Sequence, residues 1–314
     1  MAYKEQTVEL TVSEMVEKVR LDSYLAQQGF KRSIFSDPGT QILVDGKPAK
    51  KSKLVSQGDT LTITYGQEVF EGLTAQDIPL KVLYEDEQLL VVDKEQGMVV
   101  HPAVGNHDGT VVNALLFRYG IGFDTGSSDD GEEEEVSLSS SAIRPGIVHR
   151  LDKDTSGALV IARTRESYRS LLEQFKAHTT GKTYIALVKG NFRIRYGTIE
   201  SNITRDEKNR KRFTTCANDE GRSAFTEYTV LRDFKGFSLL RIVIRTGRTH
   251  QIRVHLASLN HPLVGDVIYG KEDGTTLMLH ALKLAIDHPE TGKRVVFTAP
   301  LPARFLSYVQ SHRT

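Results

Sequence analysis

From Gly146 to Gly157 the chain reads GIVHRLDKDTSG, and the apolar string Ala158, Leu159, Val160, Ile161 follows directly. β-Branched residues on both sides of a cluster of Asp, Thr, Ser and Gly predict two short strands joined by a polar loop. Asp152 and Asp154 then stand at a strand end beside Arg150 and Lys153. Charged groups at the mouth of an apolar strand pair are either solvated turn residues or a site, and this loop alone leaves both open.

The remaining chain narrows the setting. With 314 residues, one large and one small domain are expected, and about three quarters of the unfolded surface can be buried. Cys216 is the only cysteine, which excludes an intramolecular disulfide and a multi-cysteine metal site and points to a reducing, cytoplasmic setting. No apolar run has the length of a signal core or a membrane span. The net charge is +1, but residues 124–135 carry seven acids and no base, and without them the balance is +8. A moderately basic body suits a polyanionic partner without requiring one. The acidic, Ser- and Gly-rich stretch at about 124–142 has too little apolar surface to order itself and reads as a disordered insertion, or as an RNA mimic that regulates access to a basic cleft.

Periodicity places the other elements. Leu80–Asp93 holds two strand-like runs, and KEQGMVVHP follows from Lys94. Val112, Leu115, Leu116 and Tyr119 share one helical side, as do Tyr168, Leu171, Leu172 and Phe175. Lys182–Lys189 predicts a strand with Tyr184 near its start, and Phe237–Thr246 a strand leading to a helix on which Ile252, Leu256 and Leu259 share a face, with Arg253 at the border. The basic run Arg205, Lys208, Arg210, Lys211, Arg212 is a solvated loop or a backbone clamp. Gly265–Lys271 reads GDVIYGK but has Glu272 where a phosphate loop needs Ser or Thr. His250 and His255 lie about 140° apart around a helix and so do not make a zinc pair. His149, His261 and His280 read as hydrogen-bonded structural histidines.

Near the N-terminus, Val19–Ala26 predicts a short amphipathic helix, QILVDGKP a strand, Asp-Gly turn and strand, and Leu61–Thr64 another strand. The segments RLDSYLA, KRS, VDGKPAKKS and GDTLTI resemble the small RNA-binding module first named from a small-subunit ribosomal protein, with its second helix interrupted at Asp37, Pro38 and Gly39. This resemblance implies phosphate contacts from Arg20, Lys31, Arg32, Lys50 and Lys51. The expected division is a module at 14–66, a linker at 67–80 and a catalytic domain at 81–314.

HRLD at His149–Asp152, KTYIALV from Lys182, RTGRTHQIRVH from Arg245, HPLVGD from His261 and LHA from Leu279 occur in the order of the RluA/RluD-type RNA pseudouridine synthases, and residues 80–302 resemble that family. Glu95 stands where the family usually has proline. The resemblance implies an α+β fold with a mixed, largely antiparallel sheet, flanking helices and a cleft along its middle. It implies isomerisation of uridine in structured RNA, with large-subunit ribosomal RNA the leading substrate and transfer RNA the alternative. No metal, redox step or bound cofactor is implied, and a monomer is expected.

Within that resemblance Asp152 is the catalytic carboxylate. It either attacks the anomeric carbon or abstracts a sugar proton, much as a carboxylate serves a retaining glycosidase. Arg253 is its ion-pair partner, Tyr184 the aromatic on the target base, with a hydroxyl that can also assist removal of the C5 proton, and Leu279 the opposite apolar wall. Arg150 fills the space left by the flipped base or holds a neighbouring phosphate, and Arg248 is a further substrate contact. Other readings are an RNA-binding assembly factor without chemistry, or a nucleoside hydrolase using Asp154 to activate water.

Overall fold

The computed structural model describes residues 2–12, 18–27, 30, 39–69, 74–102, 105–120, 146–209, 211–216 and 220–312. Lys31, Arg32, Arg210 and the acidic stretch at 124–142 lie outside them. The chain divides into two compact units, Met1–Gly72 and Leu73–Thr314.

The smaller unit has strands β1 (Ala2–Thr11), β2 (Val19–Arg20), β3 (Gln41–Val44), β4 (Lys47–Pro48), β5 (Leu54–Val55) and β6 (Thr60–Val69), with helix α1 (Leu21–Gln27). Its main sheet runs β1-β6-β3-β4, all antiparallel, while β2 pairs with β5. The Asp-Gly turn forms because Asp45 (φ 52°) and Gly46 (φ 71°) both adopt the left-handed conformation that a two-residue hairpin needs. Leu21, Tyr24 and Leu25 from α1 meet Ile42, Val44, Val55, Leu61 and Ile63 in one core. Two local expectations change. Val19 and Arg20 are strand, not helix, and β1 is a ten-residue strand that its alternating charged and apolar residues did not single out.

The larger unit comprises β7 (Val82–Glu85), β8 (Leu89–Lys94), α2 (Val111–Tyr119), β9 (Ser156–Ala162), α3 (Arg165–Lys176), β10 (Gly181–Lys189), β11 (Tyr196–Arg205), β12 (Phe213–Cys216), β13 (Arg222–Phe234), β14 (Phe237–Ile244), α4 (Gln251–Ser258), β15 (Leu279–Asp287), β16 (Arg294–Thr298) and α5 (Ala303–Ser311). One sheet runs β12-β11-β13-β14-β10-β15-β9-β8-β7, with β16 paired to β15. Every pairing is antiparallel except β15 with β9. That parallel join is short, linking His280 to Ser156 and Ala281 to Gly157. It requires glycine at 157, where φ is +120° and a Cβ would lie 2.2 Å from the Ala281 carbonyl oxygen.

Alternation sorts side chains between the two faces of this sheet. Tyr184, Ala186 and Val188 of β10 join Leu279, Ala281, Leu151, Ile252 and Leu256 in the principal core, whereas Ile185 and Leu187 pack with Phe305 of α5 on the other face. A bulge between Thr183 and Tyr184 against β15 adjusts the direction of Tyr184. The strand expected before the HRLD loop is reduced to a bridge between Ile147 and Ile161. Leu259 follows α4 and is 38% exposed, so it does not extend the Ile252–Leu256 face. Residues 67–69, expected as linker, continue β6; farther along, Asn113 Nδ2 donates to the Thr74 carbonyl and Gln76 N to that of Asn113. No helix among the described residues is long and apolar enough to cross a membrane.

Two core histidines give the fold a pH dependence. His255 is fully buried between the hydroxyls of Thr226 (2.9 Å) and Ser201 (3.1 Å), and His280 is fully buried against Ser156 Oγ at 2.9 Å. Burial pushes both down to about 4. Below about pH 6.5 the unfolded chain binds protons that the folded chain refuses, so stability present above that pH is lost as pH falls toward 4. The melting temperature is expected to fall steadily from about pH 7 to about pH 5, and less so in His255→Gln. A flat profile in wild type would contradict this.

Candidate active site

The loop 149–155 carries Asp152 out of the core just before β9, with Leu151 buried behind it. The loop is braced from below. Lys94, at the end of β8, is almost fully buried, and its ammonium donates to the carbonyls of Glu95 (2.9 Å), Met98 (2.7 Å) and Lys153 (3.1 Å). Burial pushes this lysine down to about 8 despite the opposing charges of Asp152 and Asp154. An ammonium with all three donors engaged by backbone is a clamp, and one of its three carbonyls belongs to the residue after Asp152.

Arg253 meets Asp152 from α4, with Nη1 3.5 Å from Oδ2. Its other edge is held more tightly: Nε and Nη2 each lie 2.8 Å from the Asp266 carboxylate. Asp266 also accepts from the backbone nitrogens of Ile268 and Tyr269, both at 3.0 Å. Burial works against both charges, but their mutual hydrogen bonds and attraction, with the backbone donors to Asp266, together outweigh it, so the Arg253 proton is held above its usual range and Asp266 lies below the usual carboxylate range. The guanidinium carbon is 5.3 Å from the Tyr269 ring centre. Two carboxylates therefore share one buried cation.

The first turn of α4 is fixed by Gln251, whose side-chain oxygen accepts from Thr246 Oγ1 (2.7 Å) and Arg248 N (3.0 Å) while its nitrogen donates to Phe225 O and Thr226 Oγ1 (both 3.0 Å). Before it, His250 adopts a left-handed backbone conformation (φ 56°) with its Nε2 3.9 Å from Asp152 Oδ2. Tyr184 supplies the aromatic wall beside Leu279 in the same core, and burial, with the charge of Asp152, pushes its hydroxyl up.

The residues named from the sequence thus part into groups. Asp152, Arg253, Tyr184 and Leu279 converge. Arg150 is exposed on the same loop, and its charge reaches His250. Arg248 turns to the Ser223 carbonyl, with Nε at 3.1 Å. In the smaller unit Arg20, Lys50 and Lys51 line a cavity of about 360 Å³ with Thr40, Ile42, Ala49 and Ser52. Arg20 is already paired bidentately with Asp22, at 3.1 and 2.8 Å. Lys31 and Arg32 lie outside the described residues. Asp266, Tyr269, Gln251, His250 and Lys94 had no assigned role. For Asp266 the only signal was a carboxylate in an otherwise apolar HPLVGD segment. GDVIYGK, which fails as a phosphate loop, instead holds Arg253 through Asp266. His149 and His261 are structural, bonded to Val160 N (3.1 Å) and Lys189 O (2.8 Å).

Residues 88–258, more than half of the chain, match the family model described as RNA pseudouridylate synthase. The chain belongs to that family. This synthase is 40% identical over 96% of its length to the ribosomal large subunit pseudouridine synthase D of Borreliella burgdorferi, covering 92% of that protein. It is 36% identical to the uncharacterized RNA pseudouridine synthase YlyB of Bacillus subtilis, covering 98% of each chain. Among solved structures it is similar to human RNA pseudouridylate synthase domain containing 1, with 25% identity and a TM-score of 0.55 over 76% of this chain and 97% of that one. The domain containing 4 protein shares the fold at 20% identity and a TM-score of 0.57, over 74% of this chain and 93% of that one. The synthase is therefore an RNA-modifying isomerase with a mixed, mostly antiparallel sheet.

Proposed function

We propose that this synthase converts uridines of large-subunit ribosomal RNA to pseudouridine, with Asp152 acting at the sugar. The observation that carries the catalytic part is the convergence of Asp152 with Arg253 at 3.5 Å, beside Tyr184 and Leu279. The relatives named for the large ribosomal subunit, such as that of Borreliella burgdorferi, support the substrate.

In this reading a uridine flips from its stack, and the uracil lies between Tyr184 and Leu279. Flipping costs a few kcal/mol, and stacking on an aromatic returns about 1–3 kcal/mol. The bond from the anomeric carbon to N1 breaks, and its electron pair leaves with the uracil. Asp152 meets the electron deficiency at the sugar by bonding to it or by taking a sugar proton. The uracil turns, and C5 bonds to the anomeric carbon as the Asp152 bond there breaks or as Asp152 returns the sugar proton; the C5 proton then leaves, and N1 gains one. Tyr184 packs on the target base, and burial with the charge of Asp152 pushes its hydroxyl pKa up. Arg150 occupies the vacated stack or a flanking phosphate.

The test is pseudouridine mapping of total RNA from cells lacking the protein, complemented with wild type or Asp152→Asn. Ribosomal sites lost in the deletion and restored only by wild type support both parts. Sites confined to transfer RNA would replace the substrate, and restoration by Asp152→Asn would overturn the carboxylate.

The smaller unit, Met1–Gly72, which contains the module expected at 14–66, is proposed as the RNA anchor, with Lys50 and Lys51 as phosphate contacts. Replacing both with Gln is expected to reduce the slope of log affinity against log salt by about 1–2, measured by filter binding on ribosomal RNA. An unchanged slope would remove these lysines from the interface.

A further inference from the structure

We infer that His250 is a positioning residue for Asp152, held by the Tyr269 hydroxyl in the tautomer that turns an N–H toward the catalytic carboxylate. This rests on the reading of Asp152 given above.

Three observations meet at this imidazole. Its Nδ1 lies 2.9 Å from Tyr269 Oη, and its Nε2 lies 3.9 Å from Asp152 Oδ2, the oxygen that Arg253 Nη1 also faces at 3.5 Å. The backbone of His250 sits at φ 56° and ψ 16°, in the left-handed region where Asn, Asp and His are the side chains most often found. The residue also lacks a capping bond: it stands at the N-terminus of α4, yet its side chain makes none to the helix. The side chain, unused by its own helix, faces Tyr269 and the Asp152 carboxylate instead.

The tautomer follows from the bonds of Tyr269. Phe213 N donates to its hydroxyl oxygen at 2.8 Å, so the tyrosine proton is available for a second partner, and that partner is His250 Nδ1. An imidazole that accepts at Nδ1 carries its proton on Nε2 when neutral. Burial favours the neutral form, and the charges around the ring divide: Asp152 and Asp266 favour the cation, Arg253 and Arg150 oppose it. Edge-on packing against Phe213 (77°) and Tyr269 (89°) fixes the ring plane.

At 3.9 Å the Nε2–H does not yet bond the carboxylate. A closure of about 1 Å completes the bond, as happens when catalytic groups tighten around a bound substrate. Arg253 and His250 then hold one oxygen of Asp152 from two directions, one as cation and one as neutral donor. The second donor is matched to the problem. Arg253 already shares its charge with Asp266, so it cannot alone fix the orientation of Asp152.

The test uses the full-length protein with histidine 15N-labelled, His250→Asn to identify the resonances of His250, and total RNA tritiated at C5 of uridine from cells lacking the protein. In wild type the His250 Nδ1 shift is expected to be that of an unprotonated nitrogen and Nε2 that of a protonated one; Tyr269→Phe is expected to mix the two forms. Tritium release by His250→Asn is expected to show a kcat about 10-fold lower with KM within about 2-fold, since one hydrogen bond realised at the reacting group is worth about that factor. His250→Gln, whose amide nitrogen reaches the Nε2 position, is expected to recover most of the loss. A protonated Nδ1 in wild type, or equal kcat in wild type and His250→Asn, would overturn the inference. Asp152→Asn run in parallel separates the two claims. If it is inactive while His250→Asn matches wild type, His250 alone fails; if it is active, the reading of Asp152 fails first.

Discussion

Asp152→Asn is expected to fold and bind RNA as wild type does and to lose isomerisation by at least about 10⁴-fold in kcat, the scale on which removal of a reacting group is felt. The substitution keeps the shape of the side chain on a loop whose conformation is set by other groups. Lys94 anchors that loop through the Lys153 carbonyl, the Asp152 carbonyl accepts from Thr155 N at 3.0 Å, and Leu151 fills the core beneath it. None of these involves the carboxylate. What disappears is the carboxylate that the proposed function has bond to the anomeric carbon or take a sugar proton, and an amide does neither. Tritium release from C5-labelled RNA measures turnover, and circular dichroism with filter binding measures fold and affinity. Turnover within 10-fold of wild type would transfer the chemistry to another residue.

Asp266→Ala is expected to have the largest effect on stability. Removing one partner of a buried ion pair costs about 3–5 kcal/mol because the other charge is left without its bonds. Arg253 is 5% exposed and Asp266 1%. The loss exposes Nε and Nη2 of Arg253 together with the nitrogens of Ile268 and Tyr269. Asp152, at 3.5 Å from Nη1, compensates only in part, and by drawing the guanidinium away from the Tyr269 face it also lowers kcat. Asp266→Asn keeps the shape and falls between. Because the folded chain holds Asp266 below the usual carboxylate range, its contribution is complete above about pH 4 and is lost as pH falls further. Urea unfolding at neutral pH checks the first statement; a shift below about 1 kcal/mol would show that the pair does not stabilise the fold.

The local elements were largely legible. α2 spans Val111–Tyr119 as its apolar spacing indicated, α3 buries Tyr168 and Leu171, and β10 spans Gly181–Lys189 with Tyr184 near its start. Errors fell where long-range pairing outweighs local pattern. β1 alternates charged with apolar residues without a clear strand signature, yet it forms ten pairings with β6, 49 to 67 residues away along the chain. The strand expected at Ile147 shrinks to a single bridge to Ile161, on the edge of β9 away from β8.

The site divides in the same way. The ordered segments, through their resemblance to a known family, were enough to indicate that family and its isomerase chemistry and to single out Asp152, Tyr184 and Arg253 as candidates, because these stand in short runs whose order survives reading in one dimension. Only the tertiary structure decided what holds them. Asp266 meets Arg253 across a loop, Tyr269 meets His250 nineteen residues away, and Lys94 reaches a carbonyl fifty-nine residues along the chain. No local period encodes such partners. Their geometry is set by where β8, β9 and α4 come to rest, and a buried charge finds its partner only after that packing has excluded water from both.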